Sequence, residues 1–219
     1  MRSATRAVTA TFGIFAALAA MEHGVGEVLQ GDVRPDGLMI QSWPSSAFFR
    51  IEAGEPAMTV VPNLLASGVL TLLVALVFLV GVLRFAHRRH GGFALLIVSI
   101  TLLLVGGGFG PPLLGIIVSL TAMRIGGPFE WWGTRLVPAS GPPLAQAWPW
   151  VFGACVGAWL MLVPGLPILS DTLGVDNPNL VVALSSTAIG LLALTIVSAL
   201  ARDAERWTGA SSRATGRLR

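Results

Sequence analysis

The run Gly106-Gly107-Gly108-Phe109-Gly110-Pro111-Pro112 interrupts one uncharged apolar stretch from Gly91 to Met123, and the path of the backbone through it decides the topology. Pro111 and Pro112 lack an amide donor and disfavour helix in the residue before them, while the glycines permit positive φ and close packing. A helix is expected to break here. Read as a single crossing, the stretch leaves five arginines (Arg2, Arg6, Arg84, Arg88 and Arg89) on the cytoplasmic side and nine outside. Read as a reversal, it puts twelve arginines inside and only Arg34 and Arg50 outside, in accord with the positive-inside rule. Each arm is short. Phe93 to Val105 spans about 20 Å as a helix against a hydrocarbon core of about 30 Å, so the hairpin is either re-entrant or a pair of short spans. Irregular backbone at membrane depth needs other protein or a water-filled cavity to satisfy its polar groups.

Composition supports a bilayer setting. The 219 residues are 54% hydrophobic and only 11% charged, against about 25% charged in soluble domains. The expected fold is an all-α integral membrane bundle: four full transmembrane helices over 7–29, 62–83, 150–169 and 180–201, plus a broken helical hairpin at 92–123 with arms at 92–106 and 111–123. One multipass domain then covers 1–206, a flexible basic tail covers 207–219, and both termini are cytoplasmic in a prokaryotic plasma membrane. Arg2, Arg6 and the apolar Ala7 to Ala20 also fit a secretory signal. Small and apolar residues continue through Val25, Val28 and Leu29, which favours an uncleaved first helix. The outer connection from Gly31 to Val61, with Trp43, Phe48 and Phe49, is expected along the interface, and Trp131 and Trp132 read as an aromatic belt on the cytoplasmic side. The sequence pI of about 10.9 does not indicate nucleic acid, because the arginines lie in short clusters beside apolar spans without an aromatic platform. Cys155 is the single cysteine, which excludes an intramolecular disulfide and a thiolate cage.

The polar group Glu22, His23 and Glu27 stands out in the first span, where ionisable side chains are costly and face a bundle interior or an aqueous cavity. His23 and Glu27 are four apart and share a helix face, so they are a candidate hydrogen-bonded pair, proton relay or cation site. Glu22 points about 100° away and needs another neighbour. His87 and His90 fall in the Arg-rich cytoplasmic turn, so no zinc site or paired-histidine haem is expected, and no metal or cofactor is assigned. Gly106, Gly107, Gly108 and Gly110, with Pro111 and Pro112, either line a pore or serve tight packing, packing being favoured. They are not a nucleotide loop, since no Lys-Ser/Thr follows. Gly153 and Gly157 form a small-xxx-small pattern for helix packing, within the bundle or against another copy or a partner membrane subunit. Pro164 and Pro167 should kink that helix. No catalytic residue is assigned: Glu52, Glu55, Asp171 and Asp176 have no metal-ligand spacing and read as solvated loop charges, and no serine sits in a nucleophile elbow. The functional expectation is binding or passage of a small solute or ion, as a transporter or channel-like protein, with the first-span polar group and the glycine break facing a shared cavity. The alternatives are a non-catalytic membrane subunit, or a membrane enzyme acting on a lipid-linked substrate at the outer face.

Overall fold

A computed structural model of the chain describes residues 3–125 and 141–216, with side chains of 142–207 in the second part. Trp131 and Trp132 lie outside the described residues. The first helix, α1 (Ala4–Gln30), is the axis of the bundle. Its buried face carries Val8, Phe12, Ala16 and Ala20 at four-residue spacing, the stripe expected of a helix that presents one side to a core. Ser3 caps it by accepting from the Arg6 amide. Asp203, far along the chain, accepts from the Ser3 hydroxyl and from the amides of Ala4 at 2.8 Å and Thr5 at 2.9 Å. A carboxylate from the last helix thus satisfies amides that the first turn of α1 would leave bare.

The second helix, α2 (Leu64–Arg84), starts at an Asn63 cap and packs along α1. The two backbones come together at Gly24 and Gly68, where a side-chain carbon on Gly68 would press on the Gly24 carbonyl and the Val28 amide. Small residues permit this close backbone approach. Next come α3 (Gly91–Val105) and α4 (Gly110–Ala122). Gly92 lies against Ser119 and Met123, and Gly115 against Ser99, so the arms run antiparallel and the chain reverses at the glycine run. The cut end of α3 is well satisfied. The Val105 carbonyl accepts from the hydroxyls of Ser67 and Thr71, each at 2.7 Å, and the Leu104 carbonyl from the Val60 amide at 2.9 Å.

At about 1.5 Å per residue, α3 and α4 are near 20 Å long and α1 near 40 Å, which leaves a step beside the last turns of α1. The connection from 31 to 63 fills that step rather than forming a plain interfacial segment. Strand β1 (Met39–Gln41) pairs antiparallel with β2 (Pro56–Met58), a short 3-10 turn at Arg50–Glu52 lies between them, and Thr59 bridges to Val105. Trp43 stacks on Phe49 at 5.2 Å, and Gln30 donates to the Ser42 carbonyl at 2.9 Å, tying the loop to α1. This two-stranded ribbon is the one departure from an all-helical fold among the described residues.

Helix α5 (Gly141–Leu160) passes through a π turn at Met161–Gly165, where Pro164 cannot donate to the preceding turn, into α6 (Leu166–Leu173). Gly174, at φ +66°, ends it in the left-handed conformation. The last helix, α7 (Pro178–Gly216), packs along α5 and extends beyond residue 206. Four helices are long and apolar enough to cross a membrane: Ala4–Gln30, Leu64–Arg84, Pro142–Leu173 and Pro178–Trp207.

Candidate functional site

The step beside α1 is where the ionisable residues collect. His23 is 2% exposed, and both ring nitrogens are engaged: Nδ1 lies 2.9 Å from the Ser42 hydroxyl and Nε2 lies 3.1 Å from Glu55 Oε2. Glu22, His23 and Glu55 each present a ligand-type atom, all within 4.8 Å of one another. Glu22 therefore meets its neighbour through the outer loop, which spans the angle between adjacent helical positions. Glu55 is held at φ +57° and Ala53 at φ +55°, left-handed conformations that cost a side-chain-bearing residue about 1 kcal/mol or more. The strained turn aims Glu55 at His23.

Glu52 stands beside Glu55. Burial first, and then its contact with the Glu55 carboxylate, pushes the Glu52 carboxyl up to about 9, so it holds its proton at neutral pH. Burial would also raise Glu55, but the hydrogen bond and charge of His23 outweigh it and keep Glu55 below the usual carboxylate range. One Glu22 oxygen and one Glu52 oxygen are buried without a hydrogen-bond partner.

These groups form the polar end of a cavity of about 500 Å³. Its other walls are apolar: Phe15 and Ala19 of α1, Trp159 of α5, Leu162 and Val163 of the π turn, and Val181, Val182 and Ile189 of α7. Phe109, Gly110 and Pro111 border the same cavity, so the helix break and the first-span polar group share one space. Gly107 packs on the Leu102 carbonyl, and Pro112 is buried in the first turn of α4.

Gly106 and Gly108 sit at φ +109° and +76°, and a side-chain carbon at either would overlap the Glu27 carboxylate or the His23 ring, respectively. Glu27 is fully buried, with both oxygens unpartnered. It does not meet His23 in a hydrogen bond: His23 turns to Glu55, and Glu27 abuts the break. Gly153 and Gly157 are exposed on α5, and a side-chain carbon at either meets no described atom within 4 Å. Asp171 and Asp176 are exposed and stand apart from the cluster.

Ser42, His23 and Glu55 stand in the order of a nucleophilic triad. Ser42, however, is 0% exposed and lines no part of the cavity, so its hydroxyl orients the imidazole instead of meeting a substrate. Glu52 and Glu55, expected as solvated loop charges without metal-ligand spacing, are instead half-buried on the cavity wall, with Glu55 on His23, because the loop folds back onto α1; Ser42 gave no sign of its role in the sequence for the same reason. Gly24, next to His23 in the sequence, meets Gly68 where α1 and α2 converge. No family model matches this sequence, and comparison with curated proteins and with solved structures returns no match either.

Proposed function

We propose that this multipass membrane protein binds a small amphipathic solute, its apolar body against Trp159, Val181 and Ile189 and its polar end at Glu22, His23, Glu52 and Glu55, as a step in passage across the bilayer. The observation that carries the reading is the cavity itself, about 500 Å³ of mainly apolar wall with one ionisable end. Cavities of roughly 300–1,000 Å³ with a few placed polar groups are the usual form of small-molecule sites. Ionisable groups within a spanning helix mark solute and ion pathways. In this arrangement both termini are cytoplasmic in a plasma membrane, the α3–α4 hairpin is re-entrant from the cytoplasmic side, and Gly153 and Gly157 offer a face to a second copy or a partner subunit. The rival reading, an enzyme on a lipid-linked substrate, lacks its cationic half: Arg34 and Arg50 do not line the cavity.

The test is binding and flux of a set of hydrophobic amines and carboxylates in proteoliposomes, with Trp159 fluorescence reporting occupancy. His23→Ala, Glu27→Gln and Gly108→Leu are each expected to reduce flux, and flux indifferent to all three removes the pathway. In a Cys155→Ala background, Gly126→Cys should label from the cytoplasmic side and Val175→Cys from outside. The reverse pattern would mean a single crossing at 92–123.

A further inference from the structure

We infer that the polar end of the cavity is a divalent transition-metal site, with Glu22, His23 and Glu55 as its three protein ligands. One imidazole and two carboxylates form a donor set that suits zinc and related ions. The His23 Nε2 to Glu55 Oε2 separation of 3.1 Å is close to the roughly 3.4 Å between neighbouring tetrahedral ligands that each lie about 2.1 Å from an ion. The widest separation among the three ligand atoms, within 4.8 Å, closes onto an ion with a shift of about 1 Å at a glutamate side chain, which a rotamer change supplies.

Two further observations point to a cation. First, the Ser42 hydroxyl holds Nδ1 at 2.9 Å, the outer contact that fixes a ligating imidazole and leaves Nε2 for the metal. Second, Glu22 and Glu55 present two carboxylates to a single imidazole, one buried Glu22 oxygen lacks a partner, and among the described residues no arginine lines the cavity to balance them. A divalent ion satisfies both the excess negative charge and the unpartnered Glu22 oxygen. Three protein ligands leave one position open, and in this site it faces the cavity. Only that open position rests on the solute-binding reading, where the polar end of the solute or a water molecule would complete the shell.

The test uses the full chain in lipid nanodiscs, stripped with a chelator and titrated with Zn²⁺ alone. The expected result is one ion per chain, with affinity falling at least tenfold in Glu22→Gln, His23→Gln and Glu55→Gln. Ser42→Ala, a positioning change, should weaken binding about tenfold, while the surface double change Asp171→Asn with Asp176→Asn leaves it unchanged. X-ray absorption of the zinc-loaded wild type needs no variant to fold, and should show one imidazole, the rest oxygen, and no sulfur. No saturable binding, retention of affinity in all three ligand variants, or two imidazoles in the shell, as an ion at His87 and His90 would give, overturns the proposal. Occupancy of the stripped cavity by a hydrophobic probe without any Zn²⁺ binding would overturn the metal site while leaving the solute reading intact.

Discussion

Two sets of glycines carry opposite burdens in this molecule. Gly106 and Gly108, in the break between α3 and α4, adopt positive φ and press directly on Glu27 and His23. Gly153 and Gly157, spaced like a helix-packing motif on α5, face outward with nothing described within 4 Å of an added carbon. In the sequence both look like places where backbones approach. The difference is that the first pair ends a helix beside a longer one, where the backbone must turn and the space is already filled by ionisable side chains. The second pair lies inside a helix, on a face that no described residue covers.

The largest expected effect falls on Gly108→Ala. Left-handed strain and overlap with the His23 ring together should cost about 3 kcal/mol, seen as a lower unfolding midpoint and loss of solute binding. An unchanged midpoint would mean that the break does not pack on His23. A smaller effect is expected from the double change Ser67→Ala with Thr71→Ala, which removes both hydroxyl donors from the Val105 carbonyl. Its cost is about 1–2 kcal/mol, read from the same unfolding curve, since the cut end of α3 loses partners that water cannot replace. The smallest belongs to Gly157→Ala, within about 0.5 kcal/mol for a single chain. A large loss there, accompanied by a change in oligomer size, would show that a second copy covers this face and would erase the contrast between the two glycine pairs.

The break in the helix was legible because proline and glycine act locally: Pro111 and Pro112 cannot continue α3, and the conformation of Gly106 follows from its lack of a side chain; the reversal of direction was read separately, from the arginine count. The helices long enough to span were legible for a similar reason, since length and apolar composition are properties of contiguous segments. Glu22, His23 and Glu27 drew notice because charge is costly in an apolar run. What the sequence could not convey was the step left by a short hairpin beside α1, and hence that the loop from 31 to 63 would fold into it. Ser42, Glu52 and Glu55 gain their role only from that closure, and in isolation they look like ordinary loop residues. The same closure redirects His23 away from Glu27, its partner by helical spacing, toward Glu55.

That closure is the claim on which the site depends, and thiol accessibility tests it most directly. Ser42 is buried, whereas Ser45, three residues on, is exposed. With Cys155→Ala as background, a membrane-impermeant maleimide should label Ser45→Cys readily. It should label Ser42→Cys more than about tenfold more slowly until the protein is unfolded, because reaction then requires local opening. Equal labelling of the two positions in the folded protein would contradict the account.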